Sequence, residues 1–145
     1  MTRINAGIDV RCLTDEHLLA EHREIKRLPY CLDAAIKSGS INNIPEKFTL
    51  GKGHVLFFFD KMHFTLVRYH QIYNELKARG FNIHYYGSNW WNTVSGKEYK
   101  PTDECKQLLI ERITQRIRES KKQVWHYYGK PITKEQAIAL LSKPI

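Results

Sequence analysis

The chain reads as an all-α protein of three main helices, with long irregular loops and a short extra helix near the C-terminal end. Two observations predict this. Apolar residues recur at helical spacing in three separated stretches, and capping residues and glycines bracket those stretches. At 145 residues the chain is expected to form a single domain, large enough to bury roughly two-thirds of its unfolded surface. No internal repeat or low-complexity segment interrupts it.

Taken in order, Thr14-Asp15-Glu16-His17 opens the first helix: Thr14 caps, and the two acids sit against the positive end of the helix dipole. That helix is predicted to run into the thirties, bent at Pro29 and stopped by Ser38-Gly39. Residues 39–53 read as a loop. The second helix is predicted from about Val55 or Asp60 to Arg79, ended by Gly80. Phe58, Met62, Val67, Ile72 and Leu76 supply its apolar stripe. Residues 84–101, around Trp90-Trp91, read as irregular. Thr102-Asp103-Glu104 opens the third helix to about Glu119, where Cys105, Leu109 and Ile113 stack one turn apart beside Ile110 and Ile117. Thr133 with Gln136 forms a capping box for the last helix, Lys134 to Leu141.

The net charge is +8, and it is unevenly placed. Residues 1–30 carry five Lys/Arg against five Asp/Glu, whereas residues 112–130 carry six Lys/Arg and only Glu119. A polyanion is the natural partner for such a face. Cys12, Cys31 and Cys105 are odd in number and widely spaced, so they suggest reduced thiols in a cytoplasmic protein, not a disulfide framework or zinc ribbon. No signal peptide and no apolar run near membrane-spanning length is present, so no membrane partner is expected. His17 and His22 face different sides of a helix, and nothing completes a site around His63 and His70. No metal and no organic cofactor are expected.

Three groups of residues suggest chemistry. The small second residue lets the initiator Met be removed, exposing an α-amine on Thr2. With a reference pKa of about 7.7–8.0, roughly a quarter of such an amine is unprotonated near neutral pH, so it is a ready nucleophile for an aldehyde-like carbon. On the first helix His17, Glu21, Glu24 and Leu28 fall along one side, with Glu16, Arg23 and Arg27 beside them. On the third helix Arg112 and Arg116 lie one turn apart, followed by Trp125, Tyr127, Tyr128 and Lys130. Basic residues before clustered aromatics suit a surface that clamps a nucleic-acid backbone and stacks on displaced bases, or else a segment folded back into the core. Together they suggest chemistry on a nucleic-acid sugar.

These motifs resemble the pyrimidine-dimer DNA glycosylases. The matching blocks are Met1-Thr2-Arg3-Ile4-Asn5; His17-Leu18 with Ala20-Glu21 and Arg23-Glu24; Gly53-His54-Val55 through Phe57-Phe58 and Asp60-Lys61; Arg79-Gly80-Phe81-Asn82-Ile83; and Tyr127-Tyr128-Gly129-Lys130. They run in order with similar intervals across most of the chain. The resemblance implies Thr2 as nucleophile and Glu24 as the essential carboxylate. It implies DNA contacts by Arg3, Arg23, Arg27, Arg112 and Arg116, and puts His17 at the active-site histidine position. An aromatic-basic run near the C-terminus is linked to dimer recognition, and only its final Tyr-Tyr-Gly-Lys is matched here.

The sequence departs from that pattern in places. One extra residue falls within Ala6-Gly7-Ile8-Asp9, and residues 131–145 form a C-terminal extension beyond a phage member of the family. Glu16 stands where that member has a glutamine beside the lesion, and an acid there would repel phosphate. The implied activity is a glycosylase with abasic-site lyase chemistry on ultraviolet-induced cyclobutane pyrimidine dimers, acting as a monomer on damaged duplex DNA. Its rivals are a relative specialised for another damaged base or for abasic sites, and a non-catalytic DNA-binding protein on the same scaffold.

Overall fold

The computed structural model describes residues 4–41, 43–93 and 96–143. Helix α1 (Asp15–Ile25) starts as its sequence predicts, with the Thr14 side chain accepting from the His17 amide. It does not continue through a bend at Pro29. The helix ends at Ile25 and a second one, α2 (Leu28–Ser38), begins with Pro29 in its first turn. A proline there gives up no backbone hydrogen bond, because first-turn amides have no partner within the helix. The redirection therefore falls on Lys26-Arg27. Gly39, at φ 71°, ends α2 with its amide donating back to the last turn.

The second predicted helix is also divided. A single turn, α3 (His54–Phe57), leads through a 3-10 turn at Phe58–Asp60 into α4 (Met62–Ala78). Val67, expected in the apolar stripe, is exposed. The inward face of α4 instead carries Met62, Thr65, Arg68, Tyr69, Ile72 and Leu76. Helix α5 (Asp103–Glu119) buries Cys105, Leu109, Ile113 and Ile117, and the capping box of α6 (Lys134–Leu140) forms as predicted. The loop between α4 and α5 forms a short 3-10 turn, Gly87–Trp90, where Trp90 is buried and donates from Nε1 to Thr65 Oγ1 at 3.0 Å. None of the helices among the described residues is long and apolar enough to cross a membrane.

The all-α expectation needs one correction. Strands β1 (Val124–Tyr127) and β2 (Lys130–Thr133) pair antiparallel, with Trp125 opposite Ile132 and Tyr127 opposite Lys130. The protein is mainly α with this small sheet. Tyr128 and Gly129 both have positive φ, 53° and 76°, as a tight two-residue hairpin turn demands. For a tyrosine that backbone costs about 1–2 kcal/mol. The Asp15 carboxylate offsets the cost, accepting from the Tyr128 and Gly129 amides at 3.1 and 2.8 Å.

The described residues before α1, 4–14, form a buried strap rather than a surface tail. It turns at Asn5–Ile8, where the Ile8 amide donates to the Asn5 carbonyl at 3.2 Å, and again in a 3-10 turn, Val10–Cys12. Ile4, Ala6 and Ile8 are each about 1% exposed or less, and they join a core with Leu18 and Ile25 of α1, Tyr69 and Ile72 of α4, and Leu109 and Ile113 of α5. Ile4, Asn5, Ala6 and Ile8 are all buried, so residues 4–8 run through the protein's interior.

Candidate active site

One cleft gathers the predicted acid, the strap and the basic helix. It has a volume of about 250 Å³ and is lined by Asn5, His17, Ala20, Glu21, Glu24, Ile113 and Arg116. His17, Ala20 and Arg116 also line a neighbouring hollow of about 670 Å³, whose other walls include Glu16, Arg112 and Trp125. Helix α1 supplies one side because its 3.6-residue period puts His17, Ala20, Glu21 and Glu24 on a single face. Helix α5 supplies the other through Ile113 and Arg116.

The two carboxylates on that face have different fates. Glu21 is fully buried. Both of its oxygens meet the Arg68 guanidinium, at 2.8 and 2.9 Å, and Asn5 adds its side-chain amide at 3.0 Å and its backbone N–H at 3.3 Å. Its lone pairs are used, so it serves as an anchor. Glu24, one turn on, keeps a partly exposed side chain, and the residue it meets is Arg27, at 3.2 Å. A carboxylate open to solvent on a cleft wall remains available to a substrate.

His17 takes its position from two neighbours. Its Nδ1 lies 2.8 Å from Thr14 Oγ1, and its ring stacks on Trp125 at 4.9 Å, nearly parallel. Burial pushes its pKa down to about 4, so the ring is neutral near neutral pH. Trp125 is therefore mostly a wall of the site, 8% exposed, rather than a free platform. Its Nε1 and the Nε of Arg112 are buried without a protein hydrogen-bond partner among the described residues.

Glu16 is not the bare acid that its sequence position suggested. It accepts from the His126 amide at 2.9 Å and from His126 Nδ1 at 2.7 Å, and pairs with Lys122 at 3.2 Å. Burial raises its pKa, but the His126 and Lys122 contacts outweigh burial and hold it below the ordinary value. The negative charge that would repel phosphate is spent on tying β1 to α1.

The remaining predicted residues divide. Arg116 is exposed on the cleft wall and Arg27 reaches Glu24, whereas Arg23 is exposed on α1 and Lys130 is exposed where β2 begins. Tyr127 and Tyr128 belong to a separate knot around Arg79. The Arg79 guanidinium lies 4.7 and 4.8 Å from their ring centres. Tyr127 Oη donates to Arg11 O and Tyr128 Oη to Glu75, each at 2.7 Å. Thr2 and Arg3 lie outside the described residues. Sequence reasoning missed Asn5, Arg68 and His54. A buried arginine on the apolar face of α4 was the available signal for Arg68, since an arginine at a core position demands a buried acid.

The model of the family described as pyrimidine dimer DNA glycosylase matches residues 1–86 of this chain. The chain belongs to this family. The match covers the strap, α1 and α4, so the Glu24 wall, the Glu21 anchor and Arg68 all lie within it, whereas α5 and the hairpin lie beyond. As a DNA glycosylase it acts on damaged DNA.

Proposed function

We propose that this pyrimidine-dimer glycosylase is also an abasic-site lyase that works through an imine on its N-terminus. Once the initiator Met is removed, the α-amine of Thr2 attacks C1′ of the 5′ sugar of a cyclobutane pyrimidine dimer. The bond between C1′ and the base nitrogen breaks, and the base leaves with the electron pair. Opening of the sugar ring gives a protonated imine between Thr2 and C1′. Loss of a C2′ proton then expels the 3′ phosphate by β-elimination.

Glu24 stabilises the positive charge that develops at the sugar and moves the protons of ring opening and elimination. Arg3, Arg23, Arg27, Arg112 and Arg116 hold backbone phosphates, and neutral His17 offers a hydrogen bond inside the cleft. Trp125 braces His17. Tyr127 and Tyr128, engaged with Arg79, keep the hairpin in register, and Lys130 adds charge at its end.

The observation that carries this reading is the shared cleft, in which the strap's Asn5 and the open carboxylate Glu24 line one cavity. The test is borohydride trapping on abasic and dimer-containing duplexes, followed by mapping of the adduct. The expected adduct is on the N-terminal peptide, and retaining Met1 or adding a tag ahead of Thr2 abolishes it. An adduct on a lysine overturns the nucleophile assignment. Alanine at Arg112 or Arg116 is expected to weaken binding to damaged and undamaged DNA alike and to flatten the salt dependence of log K by about 0.9 per contact.

A further inference from the structure

The Gly53-His54-Val55 motif matches the family pattern, yet the reaction as described gives it no task. His54 is 1% exposed and opens α3, a site remote in sequence from both walls of the cleft. Its Nδ1 lies 2.9 Å from the Thr49 carbonyl, which can only accept, so Nδ1 carries the proton. That fixes Nε2 as an acceptor, and Nε2 takes the Ile4 backbone N–H at 2.8 Å. Phe48 and Phe58 stand edge-on to the imidazole at 5.4 Å, so the ring has little freedom to turn.

The next residue is held as firmly from the opposite side. Asn5 donates from its backbone and its side chain to Glu21, which Arg68 neutralises, and Arg68 also donates to the Ile8 carbonyl. Two consecutive strap residues are thus tied to α3 and to α1 by hydrogen bonds that use their main-chain amides. Hydrophobic burial of Ile4, Ala6 and Ile8 would seat the strap in the core, but a smooth apolar slot tolerates sliding along its length. Directional bonds to two successive amides do not. They set the register of the strap at a point two residues from Thr2, and two residues of chain can span at most about 7 Å.

We infer that His54, with the Asn5–Glu21–Arg68 cluster, is a positioning residue for the N-terminal amine: it fixes the register of the strap so that the amine reaches C1′. The inference rests on the Thr2 reading given above. It concerns a group that touches neither sugar nor base, so its signature is a loss of imine formation without a matching loss of DNA affinity.

The experiment compares the native-terminus protein with His54→Ala, Asn5→Ala and His54→Gln. Borohydride trapping on an abasic duplex reports imine formation, and affinity for a duplex carrying a tetrahydrofuran abasic analogue, which has no aldehyde, reports binding. His54→Ala and Asn5→Ala are expected to slow trapping by about tenfold or more while the analogue's Kd stays within about twofold, because small misplacements of a reacting atom are costly. His54→Gln, whose amide oxygen can accept the Ile4 N–H, is expected to recover much of the rate. Asn5→Ala leaves the Glu21–Arg68 pair intact, so it decides the matter if His54→Ala does not fold. Unchanged trapping in the folded variants, or trapping and affinity falling in step, overturns the inference. Failure of the unmodified protein to form any adduct at Thr2 is a separate result, which overturns the nucleophile reading itself and the positioning role with it.

Discussion

Two arginines with buried side chains, one on α4 and one just past its end, each tie down a piece of chain that regular secondary structure would leave loose. Arg68 of α4 meets Glu21 and the Ile8 carbonyl beneath the N-terminal strap. Arg79, just past the end of α4, meets Asp15 and Glu75 at 2.9 Å, and the carbonyls of Leu13 and Val10, beneath the hairpin turn. Their chemistry is the same: a guanidinium has more donors than one carboxylate can use, and the surplus captures backbone carbonyls. Their surroundings are not. The Arg68 knot adjoins Asn5 and Glu21 on the floor of the cleft, whereas the Arg79 knot holds Tyr127, Tyr128 and the turn. One cluster therefore bears on the position of reacting groups, and the other on the integrity of the fold.

The largest effects should come from breaking each knot. Arg68→Met strands the buried Glu21 and Arg79→Met strands Asp15 and Glu75, each at a cost of about 3–5 kcal/mol of unfolding free energy, read from denaturant unfolding curves. Where folded protein survives at low temperature, the two should part. The Arg79 variant is expected to retain the parent's turnover per folded molecule, and the Arg68 variant to lose it. Equal turnover in the two would erase the functional half of the comparison.

Glu24→Gln sharpens the cleft side. Because Glu24 is partly exposed and supports no buried network, turnover should fall by roughly 10²-fold or more while thermal stability hardly moves. Binding to damaged DNA should persist. Turnover within a few-fold of the parent would reduce Glu24 to a surface acid. Glu21→Gln, in contrast, is expected to lower stability, since it removes the charge that Arg68 requires.

Acid should lower stability through the buried histidine of the cleft. The His17 pKa is pushed down to about 4 by burial, from an ordinary value of 6.5. Between those values the unfolded chain binds a proton that the folded chain refuses, so this residue makes stability fall as pH drops through that window. Burial lowers the His22 pKa too, and adds in the same direction. His17→Phe keeps a ring against Trp125 and removes the proton, so its urea midpoint should decline less than the parent's over this range. Parallel declines would point to another group.

The smallest effect is expected at the turn. Tyr128→Phe removes one hydroxyl contact with Glu75 at an exposed position, worth about 0.5–1.5 kcal/mol, with no change in discrimination between damaged and undamaged DNA. A selective loss on damaged DNA would return Tyr128 to the substrate surface.

Much of the architecture was legible from periodicity and caps alone. Thr14, Thr102 and Thr133 each start a helix as read, and Cys105, Leu109, Ile113 and Ile117 are the buried stripe of α5. The errors have local causes. A proline between two helical stretches fits a bend within one helix as well as the start of a second, and Pro29 lies in the first turn of α2, where its missing amide costs nothing. The hairpin was hidden because its strands have four residues each, and its turn is Tyr-Gly, where a tyrosine adopts positive φ only with Asp15 holding the amides.

The sequence by itself determined where α1, α5 and α6 begin and where α2, α4, α5 and α6 end, because caps, glycines and apolar spacing act through neighbours a few residues away. It also placed His17, Glu21 and Glu24 on one helix face, since that follows from 3.6 residues per turn. Only the tertiary structure decided which of the two glutamates is spent. Arg68, Asn5 and His54 lie 47, 16 and 50 residues from the groups they hold, and spacing along a chain is silent about contacts at that range. Glu21 became an anchor and Glu24 stayed open because packing buried one carboxylate against an arginine and left the other at the lip of a cleft.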